Sequence, residues 1–203
     1  MVRQDHLKGT EVPEMRYRKT VTLKDGRTCI LRNGSPEDAD AVLANFLLTH
    51  EQTDFLTTYP EETPITLEEE TEFLKTKEES DRDLELVAEV DGIITGTAGI
   101  NGIGKTEKIR HRASFGISID RAWWGLGIGR AMTEACIECA RAAGYTQLEL
   151  GVVADNERAI ALYSGAGFTE YGRNPKGFRS RQSGWQEIVL MRMELEEGKA
   201  AGK

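Results

Sequence analysis

Long apolar runs are missing from this chain. None approaches the roughly 20 residues that cross a bilayer, and the first fifteen residues, MVRQDHLKGTEVPEM, hold no apolar stretch of the signal-peptide kind. Both absences argue against a membrane and point to the cytoplasm. Cysteine is scarce, at three residues, and the odd number implies no disulfide framework. Cys136 and Cys139 form a CxxC, but inside a helical pattern and without a second ligand pair, and His6, His50 and His111 are scattered. A zinc site needs about four ligands, so no metal is expected and the cysteines read as small core residues. Positive charge is short as well: 26 Lys and Arg stand against 34 Asp and Glu, for a net charge of −8 without a long basic stripe. No nucleic-acid partner is expected. Arg173, Lys176, Arg179 and Arg181 crowd one segment, which reads as a solvated loop in preference to an anion site.

What is present suits one soluble domain. The 203 residues are 39% hydrophobic and include three tryptophans and 21 glycines. Residues 1–17 and 197–203 read as flexible ends around a single domain over 18–196. TVTLKDGRTCILR is a hairpin turning at Lys24-Asp25-Gly26. Ser35 then caps a helix with Pro36 at its first position. Residues 51–66, with acids, two prolines, Phe55 and Tyr59, read as an irregular lid or substrate loop. A second helix follows, with Leu67, Thr71 and Leu74 on one face. LELVAEV and IITGTAGI flank Asp91-Gly92, a strong hairpin signal. RASFGISI alternates, placing Phe115, Ile117 and Ile119 together. A helix runs from the glycines to Gly144, LELGVV is a strand, and a short helix begins near Asn156. FTEYG and WQEIVLMRMEL close the chain as strands. The class is α/β with a mixed sheet, and residues 112–153 form a right-handed crossover between parallel strands.

Three glycine-rich readings compete. GINGIGKT at residues 99–106 fits the Walker A spacing. A Walker loop must open into a helix, whereas here β-branched and aromatic alternation follows, so a turn between strands is expected. A dinucleotide fingerprint at Gly125-Leu126-Gly127 lacks its third glycine, because Arg130 stands there. The third reading uses all of Gly125, Gly127 and Gly129. Their missing side chains expose successive backbone N–H groups at a helix start, and with the helix dipole and Arg130 they suit a pyrophosphate. Downstream, VVADNERAIALYSGAGF ends a strand and begins a helix with Ala159, Leu162, Tyr163 and Ala166 on one face. On that spacing alone, Tyr163 reads as a core tyrosine.

Together the two motifs resemble the GNAT family of acyl-CoA-dependent N-acetyltransferases. The resemblance covers residues 28–195 in the family's element order, and its most specific parts are GLGIGRA and DNERAIALYSGAGF. It implies a GNAT-like fold, a mixed and mostly antiparallel sheet with a parallel strand pair at the cofactor site, flanked by helices. It implies acetyl-CoA as co-substrate, with Gly125, Leu126, Gly127, Ile128, Gly129 and Arg130 at the pyrophosphate. Ile117, Ser118 and Ile119 would follow the pantetheine arm, with the Ile119 N–H polarising the thioester carbonyl. Asn156 would touch the cofactor, and Tyr163 would be the catalytic residue beside its sulfur. Two positions depart from the family: Trp124 stands where Gln or Arg is common, and Ser114 where many members carry a glutamate.

Acetyl transfer also needs a base. Glu89, His111 and Glu187 are candidates and none stands out. The expected partner is a small amine, an amino acid or a peptide N-terminus, and a homodimer stays open. The acidic residues of 51–62 offer a place for a cationic substrate, and Arg173 to Arg181 one for a carboxylate or the cofactor's phosphates. A non-catalytic acyl-CoA-binding module and a P-loop enzyme using Lys105 are the competing readings.

Overall fold

The computed structural model describes residues 16–62 and 64–195. The expected flexible ends lie outside them, apart from Arg16 and Tyr17. Tyr17 is tied down: its N–H donates to Asn33 Oδ1 (2.6 Å) and its hydroxyl to Glu138 (2.8 Å).

Eight strands form one sheet: β1 (Arg18–Thr22), β2 (Thr28–Asn33), β3 (Leu84–Val90), β4 (Ile93–Gly102), β5 (Arg112–Ile119), β6 (Gln147–Val153), β7 (Thr169–Ser180) and β8 (Gly184–Glu194). Their order is β1-β2-β3-β4-β5-β6-β8-β7. Among the described residues four α-helices accompany them: α1 (Ala39–Gln52), α2 (Leu67–Glu78), α3 (Ile128–Ala142) and α4 (Glu157–Ala166). Every neighbouring pair is antiparallel except β5 and β6, which run parallel across the α3 crossover. This is the expected mixed sheet.

Local chemistry sets the element ends. The hairpin at Asp91-Gly92 has φ of 52° and 78° at its two central residues, the twist that joins right-handed strands. Ser35 and Asp38 form a capping box around a 3-10 turn at Pro36–Asp38 that leads into α1. Gly144, at φ 76°, ends α3.

The sheet separates two layers. On one face α3 and α4 cover Leu84, Leu86, Ala98, Ile100, Phe115, Leu148 and Leu150, with Met132, Cys136 and Cys139 between. On the other, α1 and α2 cover Val87 with Val42 and Leu74. Cys29, Cys136 and Cys139 are buried thiols, pushed up by that burial, as expected of core residues.

Two expectations need correction. The buried face of α2 is Glu70, Leu74 and Lys77; Leu67 and Thr71 are turned outward. Arg173, Lys176 and Arg179 lie in β7 rather than in a loop, because pairing with β8 carries the strand on past Pro175 with a register shift between Asn174 and Phe178. The Walker-like segment, as expected, ends β4 and continues as turns back to β5, with no helix after it.

Candidate active site

β5 and β6 begin as partners and then separate. Parallel pairing is limited to Arg112 with Gln147, Ala113 with Leu148 and Ser114 with Glu149, so a wedge-shaped gap opens toward the C-terminal ends of both strands. The β4–β5 ladder fixes what faces that gap. Ile103 N–H donates to Arg112 O, and Asp120 N–H to Thr95 O. Hydrogen-bonded pairs therefore alternate through Ser114, Gly116 and Ser118, and the backbone groups of Ile117 and Ile119 turn from β4 into the gap. Their side chains pack on the α3 face. Ser118 is set apart: its backbone lies in the β4 ladder and its side chain on the opposite face.

The glycine loop closes the wide end. Trp124 Nε1 donates to Ile119 O (2.7 Å), pinning the loop to β5, and Lys24 N–H donates to Leu126 O (3.1 Å), pinning it to the first hairpin. Gly125 and Gly127 have φ of 85° and 102°, torsions that oppose any other residue, and a Cβ on either would meet nothing within 4 Å. Gly129 is needed for closeness instead: its Cβ would lie 3.3 Å from Ile119 and 3.4 Å from Leu162. The first internal bond of α3 runs from Ala131 N–H to Gly127 O (3.1 Å). The amides of Ile128, Gly129 and Arg130 thus have no acceptor within the helix and face open space at its positive end. The residues present fit a pyrophosphate. The Arg130 guanidinium pairs with Glu134 one turn on (3.0 Å), at the surface.

Asn156 sits where β6 leaves the gap and caps α4, its Oδ1 accepting from Ala159 N–H (3.2 Å). That cap aims α4 across the sheet so that Tyr163 meets Phe115 edge-on, ring centroids 6.0 Å apart, with Phe168 at 6.0 Å from the tyrosine ring. Burial pushes the Tyr163 hydroxyl up to about 12.

Sequence comparison agrees with this geometry. Residues 45–168, well over half of the chain, match the model of the acetyltransferase (GNAT) family. The chain belongs to that family. Among solved structures, a GNAT-family acetyltransferase from Streptococcus pneumoniae superposes with a TM-score of 0.77 at 29% identity, over 82% of this chain and 99% of that one. An N-alpha-acetyltransferase, RimI, of Mycobacterium tuberculosis is 35% identical over 43% of this chain and 53% of its own. An L-methionine sulfoximine/L-methionine sulfone acetyltransferase of Salmonella typhimurium is 26% identical over 55% of this chain and 65% of its own. The matches thus span about half to two thirds of these curated relatives.

Within this GNAT frame two of the three candidate bases are engaged by arginines, and the third lies at the closed end of the gap. Glu89 is held by Arg32 (2.9 Å), Glu187 lies 3.4 Å from Arg173, and His111 precedes the closed end of the β5–β6 pair. The acidic segment 51–62 and the basic segment meet at Arg181. Arg181 pairs with Glu61 and, at 3.3 Å, with Glu62, while its ring contact is Tyr59 at 4.1 Å. Asp54 Oδ2 accepts from Ser180 Oγ (2.6 Å), Ser183 Oγ (2.9 Å) and Gln186 Nε2 (3.2 Å). The loop after α1 is therefore sewn to the β7–β8 turn.

Two groups of residues escaped the reading of the sequence. Arg27 stacks on Trp123 (4.3 Å), and Arg121 and Arg158 flank Trp124 (5.6 and 5.0 Å), placing three cations around the glycine loop from three separate segments. The paired tryptophans before the glycines were the available signal. The second group lies under α2, where Lys77 donates to Asn101 beside the half-buried Glu85.

Proposed function

We propose that the protein is an N-acetyltransferase that moves the acetyl group of acetyl-CoA to a primary amine of a small molecule, an amino acid or a protein N-terminus. One observation carries the reading: a gap between parallel strands, lined by the backbone of Ile117 and the N–H of Ile119, ends at the free amides of a helix behind two left-handed glycines. Pyrophosphate would bind the amides of Ile128, Gly129 and Arg130, with Gly125 and Gly127 leaving the approach clear and Leu126 packing beneath. Acetyl-CoA, when bound, supplies the activated thioester. The Ile119 N–H would polarise its carbonyl, and Asn156 would border the same cleft. Tyr163 would donate a hydrogen bond to the sulfur as negative charge grows there.

The curated relatives support the acceptor class, one by acting on amino-acid analogues and the other by its N-alpha position. No group of three or more metal-binding side chains occurs among the described residues, and the reaction as written uses none. No described helix is long and apolar enough to cross a membrane.

Thiol release from acetyl-CoA, measured against a panel of amines, amino acids and peptides, tests the reading. A binding partner of the same fold would hold acetyl-CoA and release no thiol with any of them. Acetyl-CoA is expected to raise the melting temperature, by about 2.7 kcal/mol of linkage at 100 times Kd, and ATP with magnesium to leave it unmoved. A shift with ATP alone, abolished by Lys105→Ala, would restore the P-loop alternative.

A further inference from the structure

The face of the sheet opposite the glycine loop carries a row of missing side chains. Glu85 on β3 pairs with Gly99 on β4, and Gly99 with Gly116 on β5. The register from Ser114 and Glu149 sets Gly151 of β6 across the gap from Gly116. Phe115 and Ile117 point to the α3 side, so Gly116 points to the α1–α2 side, where its Cβ would meet nothing within 4 Å. The row is a furrow that runs over bare backbone from Glu85 to the open gap.

Glu85 lies along it. A Cβ on Gly99 would strike Glu85 Oε2, so the carboxyl is stretched over β4 toward β5. Strands are about 4.8 Å apart, which leaves a group above Gly116 roughly one strand spacing from this carboxyl.

We infer that the furrow over Gly99 and Gly116 receives the acceptor amine, and that Glu85 is the base that binds and deprotonates it. This rests on the acetyltransferase reading and supplies the base that the sequence left open. The acceptor would be a primary amine on a narrow stem, since only bare backbone lies between the carboxyl and the gap. Glu85 takes one proton from the ammonium. The amine lone pair then forms the N–C bond with the thioester carbon as the C–S bond breaks. The nitrogen gives up a second proton, the departing thiolate gains one, and the proton on Glu85 passes to water. The cofactor and the amine would reach the gap from opposite faces of the sheet.

The groups packed around Glu85 suit the role. Burial raises it to about 7, against the opposing pull of Lys77 of α2 and a hydrogen bond from Thr97 of β4, while Glu70 of α2 adds to the rise. Asp83, before β3, acts on Lys77, and Cys136 of α3 lies on the far face. A base near 7 is about half ionised at neutral pH, so it can both take and release a proton there.

The test uses the full chain, acetyl-CoA and the best amine of the panel. Glu85→Gln should lower kcat/KM at pH 7.5 by about 10- to 1,000-fold and abolish the acidic limb near pH 7, with acetyl-CoA Kd unchanged by calorimetry. Gly99→Ala, which displaces the carboxyl, should lower kcat in the same direction. Gly116→Val, at an exposed strand position, should raise the amine KM by about tenfold or more and leave acetyl-CoA affinity alone. An active wild type with Glu85→Gln or Gly116→Val at wild-type kcat/KM overturns the furrow and spares the acetyltransferase reading. A wild type that binds acetyl-CoA and acetylates no amine overturns both.

Discussion

Tyr163 shows how far a single hydroxyl can go. Buried against Phe115 and Phe168 and raised to about 12, it is a much weaker acid than a thiol, whose reference is about 8.5. Full proton transfer to the leaving sulfur is uphill by several powers of ten, so its part in the proposed reaction would be a hydrogen bond to growing charge. Tyr163→Phe is expected to lower kcat by about 10- to 1,000-fold with acetyl-CoA Kd unchanged. The ring packing survives, so stability should fall by no more than about 1 kcal/mol. Because the hydroxyl stays protonated between pH 6 and 9, the variant should keep the shape of the wild-type pH–rate profile. Steady-state thiol release across that range measures it, and unchanged turnover would return Tyr163 to a packing role.

At the level of elements, the loop before α3 is the most constrained piece of chain. Gly127 stands at φ 102° with open space above it, so a valine there costs backbone strain of about 1–2 kcal/mol and its side chain enters the space proposed for pyrophosphate. Gly127→Val should weaken acetyl-CoA binding by more than about tenfold in a folded protein; calorimetry at wild-type affinity would refute the loop assignment. Such punctuation was legible in the sequence: Asp91-Gly92, Ser35-Pro36 and the alternate glycines each act through local torsions or caps. The face of α2 was not legible, because its buried positions are Glu70, Leu74 and Lys77, and a charged residue gives no apolar period to read. Glu85 was hidden for the same reason, as the polar alternate of LELVAEV that a helix happens to cover. The pairing of Arg181 with Glu61 and Glu62 and of Asp54 with Ser180 joins segments about 120 residues apart. Long-range partners of that kind leave no local trace.

For the molecule as a whole, Glu85 sets stability against activity. Its folded value of about 7 lies above the ordinary 4.5, so between those two pH values the unfolded chain has lost a proton that the native chain keeps. Stability must then fall as pH rises through that window, and the loss is complete above pH 7. Each unit is worth about 1.4 kcal/mol, which bounds the cost at roughly 3 kcal/mol; Lys77, left without its anion in a neutral variant, trims the recoverable part. Glu85→Gln should therefore melt close to wild type near pH 4.5 and several degrees above it at pH 8, since about 1 kcal/mol moves a domain of this size by roughly 2–4 °C. The comparison at matched pH cancels the carboxylates that lose stability in acid, among them Asp38 beside Arg32 and Glu138 beside Lys19. Thermal unfolding of the two proteins at both pH values reads the difference directly. A gap in melting temperature that does not widen with pH would mean that Glu85 ionises at its ordinary value in the folded protein. A widening gap together with lost turnover is the pattern of a site that holds a costly charge because the reaction needs it.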